Sequence, residues 1–339
     1  MGRDNSGAYH PHHWTPPDYL VDDDGKVVGG YSPEGPNNWG RWGADDKLGT
    51  LNLITADDIC DAARLVNSGK VFSLSIPIEV GAPRSDIRAA PVHYFSMTGS
   101  DVIAGTPNSA IGPGVAFTDD YIHMALQEST QWDGFAHWPY RDTFYNGYWA
   151  GNVTAAGSVD LEMSTFKDKF VGRGILLDVA RFLGVDHVVP GTPITAAMLD
   201  DVAASQKLSV RRGDIAVVRT GHLGRWYTLS SQEDKADWLD RAPGLSITVI
   251  PWLSDHDVAA VAIDTIGAEV FPHEETAHLS HPIHTAALVD LGLPLGELWW
   301  LEELGTDCAS DGQYAFLLCA PTLNIPGSVG SVVNPIAIK

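Results

Sequence analysis

The sequence predicts an α/β fold in which a mixed β-sheet is flanked by helices. Three short apolar runs, at 174–179, 214–219 and 258–263, are typical of buried strands. Helical segments with capping residues lie between the apolar runs, without the strict strand–helix alternation of an all-parallel sheet. Apolar residues make up 44% of the 339 residues and charged residues 19%, a composition that suits a well-buried core.

The first 126 residues contain an arm, a helix, a strand and a long loop. Residues 1–40, rich in Pro, Gly, Asp and Asn, predict an extended arm, and its three histidines are better explained as a polar terminus than as a metal site. Thr55 is the N-cap of a helix reaching about residue 66, and Gly69 ends that helix. The alternation at 71–80 predicts a half-buried strand, 81–114 a long loop of the kind that often serves as a lid, and 115–126 a further strand.

The second half of the chain supplies the remaining elements. Thr195 caps a helix that reaches about residue 206, and a second helix is expected at 247–254. A third helix is expected at 282–291, where Gly292 closes it. Strands at 314–319 and 332–338 end the chain. Since no linker divides these segments, residues 41–339 predict one domain.

Charge and cysteine usage exclude several classes of function. The net charge of −22 repels nucleic-acid phosphates and anionic lipid surfaces. The chain has no apolar run long enough for a membrane helix, and its polar N-terminus does not resemble a signal peptide. Three cysteines without CxxC spacing fit a reducing, cytoplasmic environment. We find neither a nucleotide-binding glycine motif nor a GxSxG nucleophile motif.

The densest group of polar residues lies between Gln127 and His137. In an extended chain Gln127, Gln131, Asp133 and His137 would share one face, and Trp132 would point to the other. A carboxylate and an imidazole at this spacing can share a proton or bind one metal ion or water. The alternative is a polar loop whose side chains only cap backbone groups.

Other candidates are weaker individually. His284 on a predicted helix and Glu297 downstream could act together, or could be a surface histidine and an ordinary acid. His222 follows a strand and could line a pocket, and Asp264 and Glu269 flank a turn after another strand. Aromatic residues follow His137 directly, Tyr145 among them; they are usually core, but here they could wall a pocket for a ring-bearing substrate.

The 127–137 segment resembles the hallmark His-x-Gly-Thr-His-x-Asp-x-Pro-x-His of the cyclase-family hydrolases, which include kynurenine formamidases, isatin hydrolases and some polyketide cyclases. Thr130, Asp133 and His137 match that motif. Gln127 and Gln131 stand at its two upstream His positions, Ser129 at its Gly and Phe135 at its Pro. Further blocks similar to the family lie at 41–55, 172–181, 213–221, 259–265, 296–304 and 334–339.

The resemblance implies a swivelling β/β/α-type fold, assembly as a homodimer or homotetramer, and a divalent metal. By position, His137 would be the acid/base, and the metal ligands would be Gln127, Gln131, Asp133, His284 and Glu297. Because amide and carboxylate oxygens suit hard cations, this set favours Mn²⁺ or Mg²⁺ over Zn²⁺, or no metal.

These observations together predict a hydrolase that cleaves an amide or lactone of a small cyclic or aryl-bearing molecule. Asp133 and Glu297 would hold a metal or water, and His137 would carry the proton. The predicted substrate contacts are Trp132, Phe135, Tyr145 and His222. The alternatives are a polyketide-type cyclase or dehydratase, and a binding protein that has lost the metal site through its two Gln.

Overall fold

The computed structural model describes residues 16–105, 115–274 and 281–339. The histidines at 10, 12 and 13, the first part of the predicted arm and part of the predicted 81–114 loop therefore lie outside the described residues. The strands are β1 (Leu20–Val21), β2 (Val27–Val28), β3 (Val71–Ser73), β4 (Val92–Met97), β5 (Asp119–His123), β6 (Gln131–Asp133), β7 (Val153–Thr154), β8 (Gly157–Ser158), β9 (Val171–Asp178), β10 (Pro193–Ile194), β11 (Ile215–Arg219), β12 (Gly244–Leu245), β13 (Ala260–Ile263), β14 (Leu295–Glu297), β15 (Ala315–Cys319), β16 (Gly330–Val332) and β17 (Ile336–Ile338).

Helices connect these strands and cover the sheet. They are α1 (Ala56–Ala63), α2 (Gly99–Ile103), α3 (Val179–Phe182), α4 (Ala196–Ser205), α5 (His222–Trp226), α6 (Gln232–Asp240), α7 (Val249–Asp255), α8 (Pro282–His284), which continues as a π-helix (Thr285–Leu291), and α9 (Glu302–Asp311). Short 3₁₀ turns lie at Gly49–Leu53, Tyr145–Gly147, Ala150–Asn152 and Met163–Phe166. Among the described residues, no helix has both the length and the apolar character of a membrane span.

A mixed sheet organises the molecule, as the sequence predicts. Within the described residues its nine strands run in the order β16-β6-β14-β13-β11-β9-β15-β17-β3. The central strands β14, β13, β11 and β9 are parallel, and antiparallel strands extend the sheet on both sides. Every residue of β11 and β13 is buried, because helices and loops cover both faces of the parallel part. The predicted α/β class with a mixed sheet flanked by helices is confirmed.

The helix at 56–63 illustrates how local sequence sets an element. The Thr55 side chain accepts a hydrogen bond from the Asp58 backbone N–H, and the Asp58 carboxylate accepts one from the Thr55 N–H. This capping box satisfies two N–H groups that a helix start leaves without partners. The helix then packs against β9 and β15. The predicted caps at Thr195 and Gly292 are also present, the latter with a φ of 58°.

Predictions for three segments on the N-terminal side were wrong in type or extent. The strand expected at 71–80 ends at Ser73, because Ile76 already donates its backbone N–H to the Thr130 hydroxyl instead of to a neighbouring strand. The expected loop at 81–114 contains β4, which pairs with β5 as an antiparallel ribbon, and the strand expected at 115–126 is limited to β5. Cross-strand pairing of this kind depends on register, which composition does not reveal.

The described part of the predicted arm lies on its own subunit. Trp39 donates its indole N–H to the Val289 carbonyl oxygen at 2.7 Å, and Tyr31 donates its hydroxyl to Asp290 at 2.8 Å. These contacts half-bury the tryptophan against its own chain. The expected dimer or tetramer and the cytoplasmic location stay predictions.

Candidate active site

Strand β6 and its neighbour β14 bring three polar side chains to one place. The two strands are antiparallel, with Gln131 opposite Glu297 and Asp133 opposite Leu295. Gln131 and Asp133 share one face of β6 because side chains alternate along a strand. The Gln131 amide N–H₂ donates to Glu297 Oε2 at 3.0 Å. Residues far apart in the chain thus form one buried polar group, through a register that only the folded sheet defines.

Trp132 lies on the opposite face of β6, in the core. Its ring stacks on Phe170 with centroids 4.4 Å apart and meets the edge of Trp299 at 4.9 Å. A Cβ on Gly296 would come within 2.8 Å of both the Trp132 and Trp299 rings, so this position of β14 requires glycine. The two packed indoles fix β6 against β14, and therefore fix Asp133 relative to Glu297.

His284 reaches the same group from α8. Its backbone N–H and its Nδ1 both bond the Glu269 carboxylate, with Nδ1 at 2.7 Å from Oε2 and 2.9 Å from Oε1. This leaves Nε2 facing Asp133 and Glu297, at 3.8 Å and 3.4 Å from their nearest oxygens. The π-helix that follows His284 is a feature often found at functional sites.

Asp133, His284 and Glu297 form the cluster on which the chemistry depends. One ligand atom from each lies within 4.8 Å of the other two, and all three residues are buried. Both oxygens of Asp133, Oε1 of Glu297 and Oε1 of Gln131 are buried without a hydrogen-bond donor. Buried polar atoms in folded proteins are nearly always paired, so the three oxygens of Asp133 and Glu297 that converge here indicate a bound cation, water or substrate. The donor set of two carboxylates, one imidazole and one amide oxygen fits a divalent metal ion.

Burial and mutual repulsion set the charges of this cluster. Burial, with Glu297 adding repulsion, raises the pKa of Asp133. Burial opposes the charged form of His284, but Glu269 and Glu297 outweigh it and raise the pKa of His284 well above its usual value. Burial also opposes the charged form of Glu269, yet its contacts with His284 lower the Glu269 pKa to about 2. The carboxylates thus require a positive charge between them, which a protonated imidazole or a divalent cation can supply.

His137 lies at the rim of the cluster. The turn after β6, in which the His137 backbone N–H bonds the Gly134 carbonyl, brings its Nε2 to 3.8 Å from Asp133 Oδ1. Its side chain is 20% exposed, whereas that of Asp133 is 1% exposed. Burial, followed by the neighbouring charges of His284 and Arg88, lowers the pKa of His137 to about 3. The imidazole is therefore in its neutral form at neutral pH.

The four side chains expected to contact substrate lie in the core instead. Trp132, Phe135, Tyr145 and His222 are each 0% exposed. Phe135 packs against Tyr145 and Phe166, and the Tyr145 hydroxyl bonds Asp46 at 3.0 Å. His222 stacks on Trp238 with centroids 4.3 Å apart. We do not retain these residues as substrate contacts, because hydrophobic packing, which the sequence alone does not locate, already occupies each of them.

Gln127 lies beside Gly330, which pairs with Asp133 across β16 and β6. Its amide nitrogen is buried without a partner beside Gly330, where an added Cβ would come within 2.2 Å of it. The backbone carbonyl of Gln127 accepts a hydrogen bond from the Arg88 guanidinium. Of the two amides expected as ligands, Gln131 is therefore the one bonded to the cluster.

Two residues near the cluster carry roles that sequence reasoning missed. Glu269 follows β13 after a turn, a position noted in the sequence, but its bond to His284 depends on how that turn folds back. Trp138 has its ring 5.2 Å from His284 and 4.8 Å from His281, and donates its indole N–H to Thr285 at 3.2 Å. In the sequence, Trp138 directly follows His137, and this adjacency could have indicated that Trp138 lies near the site.

Two further buried aspartates, Asp178 and Asp264, are structural. Asp178 caps α3 and binds Arg219 at 2.8 Å, and Asp264 accepts bonds from Thr220 and Gly221. Both carboxylates are thus satisfied by partners within the fold.

A family model and a solved structure show which protein family the chain belongs to. The model described as "Putative cyclase" matches residues 72–270. A crystal structure described as a novel cyclase shares 42% sequence identity, covers 90% of this chain and 100% of its own, and superposes with a TM-score of 0.84. The chain belongs to the cyclase family.

Two further solved structures are similar to this chain in fold. An isatin hydrolase bound to the product analogue thioisatinate has 15% identity and a TM-score of 0.56, covering 84% of this chain and 98% of its own. Isatin hydrolase A from Ralstonia solanacearum has 16% identity, the same TM-score of 0.56 and the same coverages of 84% and 98%. At this identity the likeness establishes the fold alone. No curated protein matches the chain.

Proposed function

We propose that this cyclase-family protein is a metal-dependent hydrolase that cleaves an amide or lactone bond of a small ring-bearing molecule. The observation that carries the proposal is the set of buried oxygens without donors on Asp133 and Glu297, which converge beside His284 Nε2. A group of this kind is costly to bury unless a ligand completes it. The solved structures of isatin hydrolases, which share the fold, agree with this reaction class.

The residues that would hold the metal are Asp133, His284 and Glu297, together with the amide oxygen of Gln131. A divalent cation there would supply Lewis acidity and lower the pKa of water. Glu269 keeps His284 in the tautomer whose Nε2 is free to bind, since it accepts the Nδ1 proton. Because three of the four donors are oxygen atoms, we propose Mn²⁺ or Mg²⁺ rather than Zn²⁺ as the metal.

His137 moves the proton. Its neutral Nε2, near Asp133 Oδ1, accepts a proton from a water molecule as the water oxygen attacks the substrate carbonyl carbon. The same imidazole then returns the proton to the nitrogen or oxygen that leaves when the C–N or C–O bond breaks. The products are a carboxylic acid and an amine or alcohol, joined in one molecule when the substrate is cyclic.

The experiment is a turnover assay in ¹⁸O-labelled water. Manganese-loaded protein is incubated separately with three substrates: an aryl amide, the cyclic amide isatin, and an aryl lactone. The mass of each product is then measured by mass spectrometry. We expect at least one substrate to gain one labelled water, and His137→Ala protein to lose the reaction. A product that lacks added water would support a cyclase or dehydratase instead, and no turnover of any substrate by loaded protein would contradict the hydrolase.

A further inference from the structure

The antiparallel ribbon of β4 and β5 stands apart from the main sheet. Among the described strands, β4 and β5 pair only with each other. Among the described helices and strands, each packs chiefly against the other. The ribbon is anchored at its base, where the Arg88 guanidinium donates to the Gln127 backbone carbonyl. Arg88 lies four residues before β4 and Gln127 four residues after β5, so this bond joins the two segments that enter the ribbon.

The ribbon exposes large apolar side chains on both of its faces. Tyr94 lies opposite Tyr121 on one face. Phe95 and Ile122 point to the other face, because side chains alternate along each strand. These four residues and Val92 are each between 51% and 55% exposed. A two-stranded ribbon is at best marginally stable in water, and the part of the chain that the structure describes leaves this one uncovered on both faces.

The size of this surface matches one side of a protein–protein interface. A large side chain has roughly 150–250 Å² of surface, so five that are half exposed present roughly 500 Å² of apolar area. The polar side chains and the open backbone edges of the ribbon add to that area. A stable complex of standard size buries about 800 Å² on each partner. The ribbon therefore supplies most of the surface that a stable dimer needs from each copy.

Charge and ring geometry indicate what kind of surface covers the ribbon. His93 Nε2 lies 2.6 Å from Asp120 Oδ2 across the two strands, so these two ionisable side chains already have each other as partners. The Tyr94 and Tyr121 rings stack with centroids 5.4 Å apart and an interplanar angle of 13°. A flat aromatic face of this kind can pack against an identical face. Most soluble oligomers are homo-oligomers, in which a two-fold axis brings the same patch of two copies together.

We propose that the β4–β5 ribbon is the surface through which this protein binds a second copy of itself. The proposal does not rest on the hydrolase function. In the dimer, the exposed apolar side chains of both ribbons are removed from water. The two chains each carry a net charge of −22 and repel one another. Because salt screens this repulsion and leaves apolar contacts in place, higher ionic strength strengthens the dimer, whereas it weakens an interface made of ion pairs.

Sedimentation equilibrium of the full-length protein measures the dimer Kd for wild type and two double variants. Tyr94→Asp/Ile122→Asp places one charge on each face of the ribbon. Val159→Asp/Val189→Asp is the matched control, because it adds the same charge at apolar residues that are 72% and 66% exposed and lie outside the ribbon. We expect a wild-type Kd in the micromolar range or below, raised about 100-fold in the ribbon variant by the charges buried at the interface, and nearly unchanged in the control. Added NaCl should lower the wild-type Kd.

Hydrogen exchange of the wild-type protein adds a test that needs no variant. The backbone amides of β4 and β5 should exchange more slowly as the protein concentration rises through the dimer Kd, and those of α6 should not change. Circular dichroism establishes that both variants are folded. A wild type that stays monomeric at micromolar concentration would overturn the proposal. So would equal Kd values in the two variants, or a dimer that added salt weakens. A larger assembly supports the proposal if the ribbon variant loses it, and contradicts the proposal if the ribbon variant retains it.

Discussion

Asp133 and Asp264 are two buried aspartates in neighbouring parts of one sheet, with opposite surroundings. Asp264 is 0% exposed and accepts hydrogen bonds from the Thr220 backbone N–H at 2.8 Å, the Thr220 hydroxyl at 2.6 Å and the Gly221 N–H at 2.7 Å. Asp133 is 1% exposed, and neither of its oxygens has a donor. The Nε2 atoms of His137 and His284 each lie 3.8 Å from an Asp133 oxygen.

The difference distinguishes a carboxylate that serves the fold from one that serves a ligand. Burying a carboxylate is costly, and burial raises the pKa of Asp264 to about 7, but donors from the loop after β11 offset part of that cost. For Asp133, no hydrogen-bond donor among the described residues offsets the cost of burial. The natural interpretation is that a bound cation or substrate completes it, at the expense of stability. Substitutions at the two positions should therefore have opposite effects on activity and stability.

The largest effect is expected from exchanging each aspartate for asparagine. Asp133→Asn should lower kcat/KM on the order of 10³-fold, because a charge that holds the metal is lost, while stability stays equal or rises. Asp264→Asn should instead lose about 1–3 kcal/mol of unfolding free energy with kcat/KM retained, because one carboxylate oxygen is replaced by a group that cannot accept from Gly221 or Thr220. Steady-state kinetics and urea unfolding measure both. Turnover of Asp133→Asn within about threefold of wild type would remove this residue from the mechanism.

The next effect concerns His137, at the rim of the same cluster. His137→Ala should lose 10²- to 10⁴-fold in kcat, the usual contribution of general acid–base catalysis. His137→Gln should be nearly as poor, since an amide cannot cycle a proton. Because the neutral imidazole is the active form and burial lowers its pKa to about 3, the loss of activity due to His137 protonation should begin only near that pH, well below the ordinary histidine value.

A pH–rate profile and the two variants test this role. A fully active Gln variant would show that His137 is not the proton carrier. Restoration of the Gln variant by added metal would assign His137 to metal binding instead.

A smaller effect is expected from Glu269, which contacts the cluster only through His284. Glu269→Gln should weaken Mn²⁺ binding 10- to 100-fold, because the imidazole loses the carboxylate that orients it. Glu274→Gln is the matched control, since Glu274 bonds Ser246 and the Ile247 N–H rather than a cluster residue. Calorimetric titration gives both Kd values. Equal affinities in the two variants would contradict the positioning role of Glu269.

The site could be predicted from the sequence only in part. The alternation of β6 correctly predicts that Gln131 and Asp133 share a face while Trp132 points to the other. The pairing of Glu297 with Gln131, however, depends on the register of β6 against β14, which no local pattern specifies.

Residues in turns and in the core were harder to assign. The partnership of Glu269 with His284 depends on the path of the turn after β13. The aromatic residues expected in a pocket are held by core packing, because a large ring following a polar motif fits either environment.

The smallest effect on activity is expected at His222, on the structural side of the comparison. His222 follows Thr220 and Gly221, the donors of Asp264, and burial lowers its pKa to about 3. The folded state therefore binds fewer protons than the unfolded state, in which the pKa is about 6.5. Stability is fully present above pH 6.5 and falls as pH decreases towards 3, at up to about 1.4 kcal/mol per pH unit.

A phenylalanine at this position separates structure from catalysis. His222→Phe keeps a ring against Trp238 but removes the titrating group, so the decline of unfolding free energy between pH 6.5 and pH 4 should become shallower. Its kcat/KM at neutral pH should match that of wild type. An unchanged pH slope would contradict the assignment, and a large loss of activity in folded protein would return His222 to the site.

The central claim is that the buried oxygens without hydrogen-bond donors at Asp133 and Glu297 form a metal site with His284. Anomalous X-ray diffraction tests this claim most directly. Crystals soaked in Mn²⁺ are measured above and below the manganese absorption edge, for wild type, Asp133→Asn and Asp264→Asn. We expect a strong anomalous peak bounded by Asp133, His284 and Glu297 in wild type and Asp264→Asn, and its loss in Asp133→Asn. A wild-type map without a peak among these three residues, or with its strongest peak at His273 and His281, would contradict the account.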